Sequence, residues 1–163
     1  MRVCVHGLGY IGLVTASLFA NNGHEVVGFD TDRWVRERLR AGDPEVSEAE
    51  LERFVERALD REFAVVDEPE PAEYHLVCVP TPYDAAAGSA DLTYVEQASE
   101  TVASLLRPDD VVVLESTVPP GTTETLLAPT VAASGLEPGR DVGLGYLSRD
   151  GPPRQRRRGA AIE

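Results

Sequence analysis

The chain has 163 residues, 28 Asp and Glu against 15 Arg and no Lys, a formal charge of −13 and 42% apolar residues. That length suits one domain with a real core, and ordinary apolar content falling in periodic blocks excludes an intrinsically disordered chain. No apolar run approaches the roughly 20 residues of a membrane-spanning helix, and an acidic body repels nucleic acid and anionic membranes, so neither is an expected partner.

The N-terminus carries a single Arg2 before a short apolar run and glycines, without the layout of a signal peptide, so a cytoplasmic location is expected. Residues 1–148 hold 26 acids and 10 Arg, whereas residues 149–163 hold 2 acids and 5 Arg, so the sign of the charge reverses at the tail. A lysine-free, acid-rich composition also suits a high-salt cytoplasm. Cys4 and Cys78 both lie in apolar runs and read as buried, reduced thiols. No Cys or His cluster shows metal-ligand spacing along the chain, so no metal site is expected.

Strands and helices alternate. Arg2–His6 is a short apolar strand that ends in glycines, and Ile11–Asn22 has helical spacing closed by Asn22-Gly23. Glu25–Phe29 is a second strand ending at Asp30, and residues 32–41 form a charged helix. Ser47-Glu48-Ala49-Glu50 reads as a capping box opening a helix to about Leu59. Phe63–Val66 and His75–Val79 are the third and fourth strands, the latter halted by Pro80. Residues 85–90 read as loop. A helix over Thr93–Leu106 has Asp91 or Thr93 as its cap. Val111–Leu114 is a fifth strand, Thr122–Ala133 a further helix and Asp141–Tyr146 a sixth strand. Short strands that are apolar on both faces and separated by helices predict an α/β fold, a doubly wound parallel sheet of six strands over residues 1–146. The remainder, residues 147–163, has no periodic apolar face and is expected to be disordered.

Four motifs carry the chemistry. Gly7-Leu8-Gly9-Tyr10-Ile11-Gly12 follows a strand directly and opens a helix, the context in which GxGxxG binds a dinucleotide. Gly7 permits the tight turn, Gly9 leaves room for a diphosphate, and Gly12 lets helix and strand pack closely. The helix N-terminus then offers unpaired N–H groups to the phosphates. Asp30 ends the second strand, 18 residues past Gly12, where a carboxylate accepts from both ribose hydroxyls of an adenosine and repels a 2′-phosphate. That favours NAD over NADP, although nearby Arg33 complicates the preference. A helix cap or a solvated charge is the alternative role for Asp30.

Val79-Pro80-Thr81-Pro82 fixes an extended turn at the carboxyl end of the fourth strand, where ligands bind in open α/β sheets. Thr81 is the natural hydrogen-bonding residue toward a nicotinamide ribose, and a rigid loop without ligand is the alternative. Glu115-Ser116-Thr117-Val118-Pro119-Pro120-Gly121-Thr122-Thr123 places more hydroxyls at the end of the fifth strand. Thr117 there is a candidate contact on the nicotinamide side, and a capping role accounts equally for Thr122 or Thr123.

Together GLGYIG, VPTP, ADLTYVE and ESTVPPGTT resemble the N-terminal NAD-binding domain of the UDP-glucose/GDP-mannose dehydrogenase family, from Met1 to about Tyr146. The ESTVPPGTTE wording is more similar to the UDP-N-acetyl-D-mannosamine dehydrogenase branch than to the UDP-glucose branch, where a Lys commonly stands at the place of Glu115. The resemblance implies NAD contacts at Tyr10, Ile11, Asp30, Thr81 and Thr117. It also implies a basic residue five places after the ribose Asp, which here is Val35, so Arg33 or Arg36 would have to substitute.

By the same resemblance the family oxidises the C6 alcohol of a nucleotide sugar to a carboxylate with two NAD per turnover, through a thioester on a Cys of a C-terminal domain. This chain holds no counterpart to that segment, and Cys4 and Cys78 do not match its nucleophile. The family continues after the Gly-Tyr pair with Ser or Cys and then Pro-Glu, where this chain has Leu147-Ser148-Arg149-Asp150. The expectation is a truncated product, read out of frame from about Leu147 and inactive alone, with UDP-sugar a partner only if the missing domains are supplied. Loss of the family's dimerising segment would leave an apolar patch near the sixth strand. Two other readings stay open: a free-standing nucleotide-binding or interaction module, and another Rossmann enzyme such as a hydroxyacid or 6-phosphogluconate dehydrogenase.

Overall fold

A computed structural model of the chain describes residues 1–44, 46, 48–86 and 88–148. The expected Ser47 capping residue and most of the Arg-rich tail lie outside the described residues. The strands are β1 (Arg2–His6), β2 (Glu25–Phe29), β3 (Phe63–Val65), β4 (Tyr74–Val77), β5 (Tyr83–Asp84), β6 (Ser89–Ala90), β7 (Val111–Leu114) and β8 (Gly143–Tyr146). The helices are α1 (Tyr10–Asn21), α2 (Arg33–Arg40), α3 (Ala49–Leu59), α4 (Thr93–Ala103) and α5 (Ala128–Ala133).

Six strands form one sheet in the order β3-β2-β1-β4-β7-β8, every pairing parallel. This is the doubly wound dinucleotide-binding arrangement, with its topological switch between β1 and β4. Strand alternation sends Val3 and Val5 to one face and Cys4 and His6 to the other. The first face packs with Val26 and Leu76 under Leu13, Ala16 and Ala20 of α1 and Val55 and Ala58 of α3. On the other face Val77, Val112 and Leu114 pack with Val95 and Val102 of α4 and with Leu127 and Val131. Both faces are covered, which is why the strands are apolar throughout.

Several boundaries move for local reasons. The fourth strand stops at Val77, not Val79, because its partner β1 ends at His6 and the chain turns away at Gly7, φ 93°. One ladder bond persists beyond it, from Cys78 N–H to the His6 carbonyl (2.8 Å). The expected loop over residues 85–90 carries the return strand of a small antiparallel hairpin, β5 with β6. Asp84 holds its turn by accepting the Ala86 N–H on its side chain (2.8 Å) and the Gly88 N–H on its carbonyl (2.8 Å). The expected helix over Thr122–Ala133 begins as a wide, π-type turn, Thr123–Leu127, and becomes α-helical only at Ala128. Pro129 has no N–H to donate and its ring crowds the preceding turn, so a regular α-helix is not available there.

Candidate functional site

The carboxyl ends of β1, β2, β4 and β7 bring all four motifs to one edge of the sheet. After β1 the glycine turn is locked by backbone. Gly7 donates to the Phe29 carbonyl of β2 (2.8 Å), and a Cβ at Gly7 would lie 2.7 Å from the Cys78 carbonyl oxygen. At Gly12 a Cβ would lie 1.9 Å from the Gly7 carbonyl oxygen and 3.1 Å from Cys78 Cβ. The third glycine therefore seats α1 on its own loop as well as on β4. Gly9 differs: a Cβ there would meet nothing within 4 Å, so space outside the protein explains its small size. Gly9 caps α1 without a side-chain bond, and the first turn carries no acid. Its N–H groups are the unpaired donors of a helix start. Tyr10 is exposed, Ile11 half-buried, and a cavity of about 210 Å³ opens beside Gly9 and Tyr10 toward Trp34, so this mouth is not blocked.

Asp30 is half-buried and turned toward the glycine turn. Its Oδ2 accepts the Leu8 N–H (2.7 Å) and its Oδ1 accepts the Asp32 N–H (2.9 Å). Each carboxylate oxygen keeps a further lone pair for an incoming hydroxyl. Capping of α2 falls to Asp32, whose Oδ1 accepts the Trp34 N–H (2.8 Å). Arg33 is exposed and paired with Glu37 along the helix (2.7 Å). Arg36, and not Arg33, braces this corner: its guanidinium donates to the carbonyls of Asp30 (2.5 Å) and Thr31 (3.2 Å) and lies over the Phe29 ring. Helical spacing from Asp32 was the signal for that inward turn, since position 36 sits one turn along from the cap.

The two remaining motifs are bonded to each other. Thr81 Oγ1 donates to the Thr117 carbonyl (2.6 Å), and Ser116 Oγ donates to the Val79 carbonyl (2.7 Å). Val79 is half-buried, Pro80 and Thr117 exposed. With its proton committed, the Thr81 hydroxyl is left as an acceptor toward anything on the edge. Thr122 does not cap the following turn by accepting an N–H; its hydroxyl donates to the Pro119 carbonyl (2.7 Å). The start of α4 keeps its expected cap: Asp91 Oδ1 accepts from Thr93 N–H (2.9 Å) and Oγ1 (2.6 Å).

Beneath this edge lie polar groups that chain order did not join. Glu115 is buried and accepts the Thr15 hydroxyl of α1 (3.0 Å) and the Cys78 thiol (3.5 Å), linking the first helix to the ends of β4 and β7. On the other face Cys4 and His75 stand directly opposite in register, with His6 two residues along the same face. His6 and His75 share a hydrogen bond between Nε2 and Nδ1 (3.1 Å). Burial pushes the Cys4 thiol up to about 11 and the two imidazoles down, His6 to about 3 and His75 to about 4. For His6 the charge of a protonated His75 adds to burial; for His75 the Asp110 charge and the Ala72 backbone pull the other way. The sequence held only the i, i+2 alternation of Cys4 and His6; the third member arrives by strand pairing.

Residues 1–147 match the family model described as the UDP-glucose/GDP-mannose dehydrogenase family, NAD binding domain. The UDP-N-acetyl-D-mannosamine dehydrogenase of Pyrococcus horikoshii is 37% identical over 145 residues, covering 86% of this chain and 34% of the relative. The NDP-N-acetyl-D-galactosaminuronic acid dehydrogenase of Ralstonia nicotianae is 39% identical over 76% of this chain and 29% of its own length. Among solved structures, the UDP-N-acetyl-mannosamine dehydrogenase Cap5O from Staphylococcus aureus superposes with TM-score 0.84 at 30% identity, covering 90% of this chain and 36% of that one. The chain thus spans about a third of the length of the relatives it matches. With a whole-domain match and a doubly wound sheet whose glycine turn and acid meet at one edge, the chain belongs to the UDP-glucose/GDP-mannose dehydrogenase family, as its NAD-binding domain.

Proposed function

We propose that residues 1–146 bind NAD for a cytoplasmic nucleotide-sugar 6-dehydrogenase, one that oxidises the C6 alcohol of a UDP-sugar to the uronate. UDP-N-acetyl-D-mannosamine is the favoured sugar, on the names of the P. horikoshii and S. aureus relatives. The wording ESTVPPGTTE, with Glu115 buried against Thr15 and Cys78, supports the same branch. When bound, NAD supplies the hydride acceptor; the sugar, its nucleophile and the oligomeric contacts belong to segments that this domain does not contain. In isolation the domain is therefore a cofactor holder without turnover.

The residues fit the cofactor. Gly9, with open space where a Cβ would stand, admits a diphosphate to the acid-free start of α1, with Gly7 and Gly12 fixing that turn and the backbone at Tyr10 and Ile11 presenting N–H groups. Asp30 accepts the adenosine ribose hydroxyls, and its charge disfavours a 2′-phosphate. Arg33, paired with Glu37, is the other basic residue beside this acid. Val79, Pro80, Thr81 and Thr117 border the nicotinamide half, with the Thr81 hydroxyl accepting.

The observation that carries this reading is the Asp30 carboxylate, held toward the glycine turn by Leu8 N–H. Calorimetry with NAD should give one site per chain, and NADP should bind at least about tenfold more weakly. In Asp30→Asn that preference should fall to near parity. The Asn side chain retains one oxygen for the Leu8 N–H, so the fold should persist and the change should be read in affinity. No heat with NAD at millimolar concentration from the folded chain would overturn the reading, and so would an unchanged preference in the variant. A UDP-sugar turnover assay on the same sample should show no activity; sustained turnover would overturn the proposal that the domain cannot act alone.

A further inference from the structure

The sheet face opposite α1 holds three donor side chains at the centre of the fold. One ligand atom each of Cys4, His6 and His75 lies within 4.8 Å of the others, and all three residues are buried. β1 supplies Cys4 and His6, and β4 supplies His75 at the register position facing Cys4. One feature separates this group from inert core polarity: His75 is fully buried, yet its Nε2 has no hydrogen-bond partner. A buried orphan of this kind calls for a ligand.

We propose that Cys4, His6 and His75 form a three-coordinate site for a soft, monovalent d10 cation, namely Cu(I). One thiolate and two imidazoles are the donors such an ion selects. Charge decides the oxidation state: Cu(I) with one thiolate is neutral overall and adds no buried charge to a dry core, whereas Zn(II) would leave a net positive charge there. Zn(II) in structural sites also takes four ligands, and among the described residues the group contains three. Asp110, whose charge reaches His75, is buried but outside the group and accepts the Arg107 N–H (2.8 Å).

On binding, the Cys4 S–H bond breaks, an S–Cu bond forms, and the proton leaves to solvent. Copper stays in the +1 state, so no electron moves. Val66 and Ala72, in the segment joining β3 to β4, pack with Cys4 and Val27 and cover this side of the group. The site lies on the face away from Glu115 and α1 and is independent of the NAD reading.

The test titrates the reduced full chain with Cu(I) delivered as its bicinchoninate complex, with Zn(II) run in parallel. One Cu(I) per chain should be retained, with one proton released. X-ray absorption on that sample should show one sulfur and two imidazole nitrogens around copper. Cys4→Ser should weaken retention by at least about a hundredfold, while Cys78→Ser, which alters the thiol on the opposite face, should leave it unchanged. No Cu(I) retained against bicinchoninate, a donor set without sulfur, or retention unaffected in Cys4→Ser would each overturn the site. Zn(II) bound at the same donors in preference to Cu(I) would overturn the choice of ion. The absorption measurement needs only the unmodified chain, so it decides the matter even if Cys4→Ser does not fold. Calorimetry with NAD on the copper-loaded chain should still give its single site.

Discussion

Gly12→Val is expected to destabilise the chain by more than about 3 kcal/mol and to remove NAD binding with it. Overpacking a tight core costs about 1–3 kcal/mol where neighbours can shift, but here the neighbour is backbone. The Cβ alone would sit 1.9 Å from the Gly7 carbonyl oxygen, and the valine methyls would press further toward Cys78. Relief requires lifting the start of α1 off its loop. That lift would carry away the turn in which Leu8 donates to Asp30. Urea unfolding followed by circular dichroism measures the first effect and calorimetry the second. Gly9→Ala is the matched control: its Cβ meets no protein atom within 4 Å, so stability should stay within about 1 kcal/mol of the parent. Its NAD affinity should still fall, because the methyl group stands where a diphosphate must approach. A Gly12→Val chain as stable as the parent would show that the close seating of α1 is wrong.

Mild acid is the second large perturbation. In the metal-free protein, His6 and His75 are buried neutral, with pKa values lowered to about 3 and about 4 from an ordinary 6.5. Below about pH 6.5 the unfolded chain takes up protons that the folded chain refuses. Their contribution is therefore complete above about pH 6.5 and declines as pH falls toward the folded values. The slope reaches about 1.4 kcal/mol per pH unit for each imidazole. Asp110 is the other charged group reaching this pair, and the Cys4 thiol, pushed up to about 11 by burial, stays neutral across this range. Urea midpoints at about pH 7, 6 and 5, taken with a chelator present, should fall steadily, and His75→Phe should reduce the slope over that range. Equal midpoints at pH 7 and 5 would contradict a neutral buried pair.

Much of this architecture is written in local patterns. The apolar blocks at Arg2–His6, Glu25–Phe29 and Val111–Leu114 read as strands to the residue, since each is short, apolar on both faces and bounded by turn chemistry. The glycine turn and Asp30 were legible for the same reason: a strand, a turn and a helix start carry their own spacing. What escaped depends on pairing across the sheet. Arg33 and Arg36 were both visible near Asp30, but the choice between them needed the fold: Arg33 follows the helix surface to Glu37 while Arg36 turns inward. Pro129 was in plain view, but its widening of the preceding turn depends on how that segment packs. The meeting of Cys4 with His75 and of Glu115 with Thr15 joins residues 71 and 100 positions apart, which no periodicity reports.

The reciprocal hydroxyl bonds from Thr81 to Thr117 and from Ser116 to Val79 make the rims after β4 and β7 a single stiff clasp. A hinge motion admitting ligand must then swing both rims together or break both bonds. Paired substitutions at Thr81 and Ser116 should therefore show a coupling energy in a double-mutant cycle rather than simple addition. Selection for a new specificity on one rim would have to contend with the other.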